Sequence, residues 1–339
     1  MVRYFILLKS LFLDKEEKEY IKFFRNLFHK KEIKKRDNIL IVIPNDYYYV
    51  CYNLLLFKNK LSRFNIYGYW PYFLHTNEKR KFKFLEKFHE IKSNLYFNLL
   101  KKKFINLYEP LSLKNTFDFD NIVLKYLDEK KIKEAKIKSH KIFKNLKNKK
   151  DILNLKINNI YCGDLIYDTY IRFRNFPTVD IKDNFLEKII FKSVVLILAM
   201  KELQKKFKFK YLYTNYSTYI FYGIMVRVFL KEGVNVYSGK TISQYNKKLS
   251  NSDYLHVEKY KNFQKIFKKL SNKKSKLEKA KKLTNKIFFG KRKNLEFMDY
   301  MNVNPFSKSF KKFNSNVDGV VFLPNFFESQ REWGKLIFL

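Results

Sequence analysis

The sequence predicts an α/β protein with a Rossmann-like open sheet and flanking helices. Three observations carry that expectation. Asn38–Ile43 (NILIVI) is a continuous β-branched apolar run closed by Pro44-Asn45-Asp46, which reads as a buried strand and its turn. Tyr47–Leu61 then follows helical spacing and Asn65–Trp70 (NIYGYW) is strand-like, so the chain opens with a β-α-β unit. The same order recurs in Phe207–Tyr213 (FKFKYLY), a helix over Thr218–Lys231, a stop at Gly233 and a strand at Val234–Tyr237.

The remaining elements follow in chain order. Residues 1–34 read as an amphipathic helix, with Phe5, Phe12, Phe23, Phe24, Leu27 and Phe28 alternating with Lys9, Lys15, Lys18, Lys22 and Arg25. Packing on its own domain is the simpler expectation for such a helix, and an anionic leaflet is the alternative. A secretory signal is not expected, because Lys9 interrupts the apolar run and no small-residue cleavage site follows. Residues 78–150 read as a basic helical insertion ending in the lysine-rich run 141–150. Phe185–Lys206 reads as a long helix. Its segment Ile189–Met200 is too short to span a bilayer and contains Lys192, so a buried core helix is expected. Residues 258–294 are lysine-rich and helical, and Asp318–Leu323 is a further strand. The expected domains are therefore a helix at 1–34, a sheet domain at 35–310, and the start of an uncompleted second domain at 311–339. The expected location is cytoplasmic, with peripheral attachment to the inner membrane face as an option.

Composition narrows the function classes. Hydrophobic residues make up 46% of the 339, which excludes a generally disordered chain despite a net charge of +39. That charge is a weak signal for nucleic acid, because Lys, Asn, Ile, Phe and Tyr are inflated together while Ala135, Ala199 and Ala280 are the only alanines. The skew is that of an A/T-rich coding sequence. The two cysteines, Cys51 and Cys162, make no disulfide framework, and a reducing compartment suits them.

Several chemical motifs fail. Gly233–Thr241 (GVNVYSGKT) has five residues between its glycines where a P-loop has four, and its interior is a strand. No GxGxxG, HExxH or CxxC occurs, and the five histidines are scattered, so neither a cofactor nor a metal is expected. Asp118-Phe119-Asp120 is a DxD triplet, which a solvated turn explains more simply than a cation site.

Two clusters are richer. In Tyr161–Arg172 (YCGDLIYDTYIR), a helix beginning after Gly163 brings Asp164, Asp168 and Arg172 toward one face with Tyr167 beside them. A carboxylate, a phenol and a guanidinium so arranged can deprotonate and hold a sugar hydroxyl. Read structurally instead, Asp164 caps the helix and Asp168 and Arg172 form an exposed pair. The second cluster, Tyr213–Tyr219 continuing to Arg227, sits at a strand end and helix start, where open α/β sheets bind ligands. It offers Asn215, Tyr219 and Arg227 as binding groups. Gly223 inside this helix suggests close packing.

The runs GDLIYDTYIR, YTNYSTYIFYGIMVRVFLKEGVNVYS and DYLHVEKY resemble bacterial capsule and surface-polysaccharide biosynthesis proteins, glycosyltransferase-like chains with a GT-B-like pair of Rossmann-type domains. The terminal VVFLPNFFESQREWGKLIF resembles the start of their C-terminal domain. The resemblance implies transfer of a sugar from a nucleotide donor to a glycan or lipid-linked glycan acceptor, with 35–310 on the acceptor side. Asp164 or Asp168 is then the expected base, with His256 as a further candidate. Tyr167, Arg172, Asn215, Tyr219 and Arg227 are the expected substrate-binding groups. The chain lacks the His-Pro dipeptide that related chains carry in the donor half, which implies that this half is missing. Two rivals follow, an inactive truncated remnant and a basic nucleic-acid-binding protein. Aromatic residues confined to core-like runs and the lack of an RRM or KH signature argue against nucleic acid.

Overall fold

A computed structural model describes residues 12–27, 37–43, 63–71, 98–99, 101–174, 178–239, 246–256 and 260–288. These fall into two compact units, residues up to 256 and residues 260–288. The first begins with helix α1 (Lys15–Leu27) and strands β1 (Asp37–Val42), β2 (Phe64–Trp70) and β3 (Asn115–Asp118). Helices α2 (Phe119–Tyr126), α3 (Glu129–Lys144) and α4 (Lys149–Leu153) lead to a small hairpin, β4 (Lys156–Ile157) and β5 (Ile160–Tyr161). Helices α5 (Gly163–Arg174) and α6 (Asn184–Phe207) follow, then β6 (Tyr211–Thr214), α7 (Tyr219–Lys231), β7 (Asn235–Gly239) and β8 (Asn246–Lys248). The second unit holds α8 (Tyr260–Lys269) and α9 (Lys273–Phe288).

The main sheet has six strands in the order β3-β2-β1-β6-β7-β8. The first five are mutually parallel and β8 runs antiparallel to β7. Numbered along this sheet, the order is 3-2-1-4-5-6, so the strand order reverses between β1 and β6, the ligand-binding switch point of open α/β sheets. Both faces are covered, as parallel sheets require. Leu40 and Val42 of β1 face a core built with α5, α6 and α7, while Ile39, Ile41 and Ile43 face one that takes in Tyr20 and Phe24 of α1. Alternation along a single strand therefore builds two cores.

Other expectations meet their outcome here. Strands β1, β2 and β7 and helices α6 and α7 stand within two residues of where periodicity placed them, whereas β6 is shorter than expected, because Phe207 still belongs to α6 and 208–210 lie outside the strand. Gly233 ends α7 with φ +77, and Val234 N–H closes back on Phe229 O at 2.9 Å, the wrap that a left-handed residue permits at a helix end. The helical insertion needs correcting over its second half. Residues 115–118 are a strand paired to β2, and 119–144 pack beneath the sheet against α6. The helix expected over 47–61 and the strand at 318–323 lie outside the described residues. No described helix is long and apolar enough to cross a membrane.

Candidate functional site

The site grows from three elements. Helix α5 starts hard against α4, where Cys162 and Gly163 both donate their N–H to Leu155 O at 3.1 Å. A Cβ on Gly163 would lie 2.0 Å from Ile152 O, so only glycine allows this approach. Helix α7 is apolar throughout its buried length save one cation, Arg227, and it too packs closely, because a Cβ on Gly223 would lie 2.4 Å from the Leu165 side chain of α5. The third element is the segment 249–256 after β8. Lys247 secures it by donating to Leu255 O at 3.0 Å and pairing with Asp253 at 2.9 Å.

Arg227 joins all three. Its Nη1 and Nη2 donate to Asp164 Oδ1 and Oδ2 at 2.6 and 2.7 Å, and Nη1 also donates to Tyr161 O at 2.8 Å. The guanidinium lies 4.1 Å from the Tyr254 ring centre and 5.1 Å from that of Tyr161. Burial works against its charge, but the Asp164 carboxylate more than offsets this and holds the Arg227 pKa above its ordinary value. Burial, relieved only in part by Arg227, pushes the neighbouring Cys162 thiol up to about 12, so no reactive thiolate is available here.

A cavity of about 180 Å³ lies among these parts, walled by Asp164, Asp168, Thr218, Arg227, Tyr161 and Tyr254. Asp168 is only 3% exposed. Thr218 stands at the N-cap of α7, but its hydroxyl does not cap the helix. Thr169 Oγ1 accepts from Ile220 N at 3.0 Å instead, and donates to Leu165 O. Thr218 Oγ1 and Arg227 Nε are thus buried without a hydrogen-bond partner in two residues that line the cavity. Tyr219, the first residue of α7, has φ +58, a left-handed backbone that costs a side-chain-bearing residue on the order of 1 kcal/mol. A larger hollow of about 920 Å³ beside Lys149, Lys150 and Asp180 carries no such unpartnered group among its described residues.

Further unpartnered atoms gather at the same edge of the sheet. Asn215 Oδ1 follows β6, Ser238 Oγ is near the end of β7 and Tyr69 Oη near the end of β2, all buried without a partner. Burial pushes the Tyr69 phenol well above its ordinary range, with Asp118 and Asp120 adding to the effect. Asp118 itself caps α2, accepting from Asn121 N at 2.8 Å, and pairs with Lys101 at 2.6 Å. The DxD triplet is therefore a helix start with its first carboxylate occupied.

The structure sorts the residues chosen from sequence. It brings Asp164, Asp168 and Arg227 together. Arg172 is exposed and does not line the cavity, which corrects its expected place beside Asp164. Eight residues along a helix is a rotation of about 80° away, and Asp164 finds its partner on another helix. Neither Asp164 as base nor Arg227 as anion clamp matches the geometry, since each is engaged by the other. His256 does not line the cavity and is 5% exposed. Its Nδ1 lies 3.1 Å from Ser217 Oγ, its N–H donates to that oxygen at 2.8 Å, and its ring lies 4.4 Å from Tyr216. It fastens segment 249–256 to the β6–α7 turn. Tyr167 Oη shares a 3.0 Å hydrogen bond with Thr178 Oγ1, and the Tyr219 ring stacks on Phe221. Asn215 lies at the strand end, outside the cavity lining. Tyr161 and Thr218 lie within the two sequence clusters but are not among their candidate groups, and Tyr254 lies outside both. A lone arginine in an apolar helix was the available clue, because a buried cation needs partners.

Comparison with protein-family models, curated proteins and solved structures finds no match to this chain.

Proposed function

We propose that this chain is the acceptor-side, Rossmann-like domain of a GT-B-like glycosyltransferase of surface-polysaccharide assembly. The observation that carries the reading is the cavity beside the β6–α7 turn, with buried Asp168 in its wall and Thr218 Oγ1 and Arg227 Nε unpartnered. Its volume of about 180 Å³ equals roughly six waters at about 30 Å³ each, the scale of one sugar ring. The Arg227 charge is already matched by Asp164, so the cavity suits a neutral polyol better than a diphosphate.

The roles follow. Asp168 accepts the proton of an acceptor hydroxyl as that oxygen bonds to the anomeric carbon of a nucleotide sugar. The bond from that carbon to the diphosphate breaks and the nucleoside diphosphate leaves with the electron pair. The lining residues, Thr218 and Arg227 among them, orient the acceptor ring. The acceptor is a glycan or lipid-linked glycan met at the cytoplasmic membrane face, and the donor is a nucleotide sugar.

Saturation-transfer NMR with hexoses and N-acetylhexosamines tests the binding step. Wild type should show sugar contacts that Asp168→Asn and Thr218→Val weaken, while an exposed control, Phe173→Ser, keeps them. No sugar contact in wild type, or contacts untouched by both variants, would sink the reading.

A further inference from the structure

We infer that α8 and α9 form a docking surface for an anionic lipid bilayer. Between Tyr260 and Phe288 there are eleven lysines and one acidic residue, Glu278. Apolar and polar positions separate more sharply in α8 than in the other described helices, with apolar residues at 260, 263, 266, 267 and 270 and lysines at 261, 265, 268 and 269. Despite that separation, Phe267 is 40% exposed, Leu277 45% and Leu283 43%. Large apolar side chains facing water inside a lysine field match the makeup of helices that lie in the bilayer interface. There the apolar groups enter the headgroup boundary and the ammonium groups stay among lipid phosphates. A surface made for nucleic acid alone gains nothing from Phe267, Leu277 and Leu283 at these positions, so the lipid surface is the better fit.

The N-terminal helix is the contrasting case. Its sequence is also basic and amphipathic, but Tyr20 and Phe24 of α1 are each only 6% exposed, packed on the sheet, and Glu17 is engaged by Lys103 at 2.8 Å. Tyr20 and Phe24 of α1 are covered, although Phe23 on the same helix is exposed, whereas Phe267, Leu277 and Leu283 of α8 and α9 face water. This inference is independent of the sugar-transfer reading, since it concerns residues outside the cavity and can hold for a chain with no transferase activity.

Vesicle sedimentation of the full chain is the test, with phosphatidylcholine vesicles set against vesicles that also contain phosphatidylglycerol. Wild type should partition to the anionic vesicles only, and less as salt rises. Lys265→Glu/Lys268→Glu/Lys269→Glu should lower the partition coefficient by at least about tenfold. Phe267→Ser/Leu277→Ser should lower it by about tenfold, and Phe23→Ser on α1 should leave it unchanged. Phe267→Trp should add a tryptophan signal that shifts to the blue on anionic vesicles alone, a readout that needs no loss of folding. Equal binding to both vesicle types, no shift at position 267, or indifference to the α8–α9 variants would overturn the inference. Binding of single-stranded RNA with the vesicles left bare would also overturn it, assigning the lysines to nucleic acid.

Discussion

Replacing Arg227 by Met tests whether the polar cluster at α5–α7 holds the first unit together. The side chains of Arg227 and Asp164 are 6% and 14% exposed, joined by two hydrogen bonds of 2.6 and 2.7 Å. Met fills a similar volume without charge, and it leaves the Asp164 carboxylate buried with its main counter-charge gone. Removing one partner of a buried pair costs about 3–5 kcal/mol, far more than the pair contributes relative to an apolar substitute. The lost bond to Tyr161 O and the ring contacts with Tyr254 and Tyr161 place the expectation toward the upper end. With about 2–4 °C per kcal/mol for a unit of this size, the melting midpoint should fall by roughly 6–20 °C. Arg227→Lys should recover only part of that loss, because an ammonium cannot make the two parallel bonds.

Urea denaturation read through tyrosine fluorescence and far-UV circular dichroism gives the free energies. The informative comparison is the cycle of Asp164→Asn, Arg227→Met and the double variant. The double variant should be more stable than the sum of the single costs implies, because it leaves no unmatched charge. A cost below about 1 kcal/mol for Arg227→Met would refute the reasoning, since that is what an exposed pair contributes. Additivity of the two single variants would refute it as well.

Two further outcomes follow from local geometry. Burial pulls the Lys192 ammonium down to about 8, with Lys188 adding to the fall and Asp120 opposing it, so its protonation works against folding. Stability should rise between about pH 8 and 10.5, where the unfolded chain binds more protons, and Lys192→Met should flatten that rise and stabilise the protein near neutrality by no more than about 3 kcal/mol. Gly163→Ala should destabilise by about 1–3 kcal/mol or more, measured in the same urea titration, because the new methyl meets the backbone oxygens of Ile152 and Leu153, which cannot rotate away.

Much of the frame was legible in sequence, and particular residues explain where legibility ended. β1 and β6–α7–β7 announce themselves through apolar runs between turn residues, because strands covered on both faces must be apolar at successive positions. β3 reads NTFD and β8 reads NKK, and neither has a run to find. Each is a strand only because a neighbour, β2 or β7, offers an open edge to pair with. Helical spacing correctly put Asp164 and Asp168 on α5, but it could not supply the partner of Asp164, since it sees one helix at a time. The actual partner comes from α7, 63 residues later, and that proximity is a property of the packed fold.

The unpartnered polar atoms bear on whether this edge is merely structural. An unsatisfied buried polar group costs about 1–3 kcal/mol, and a valine or alanine in its place would avoid that cost. Asn215, Thr218 and Ser238 all lie at or just beyond the C-terminal ends of β6 and β7, beside the switch point of the sheet. Within the helices of the same unit, small polar groups of this kind are matched. Ser139 and Ser193 bond to backbone oxygens one turn back, Thr169 both gives and receives, and Asp183 takes Arg174, Tyr170 and the start of α6. Asn215, Thr218 and Ser238 bear that cost beside one end of the sheet, as Arg227 Nε does on α7 and Tyr126 Oη on α2. The left-handed backbone of Tyr219 falls on the same turn. Under the proposed sugar-transfer reading, strain and unmatched polarity favour the β6–α7 turn over the solvated face carrying Arg172 as the place of substrate recognition.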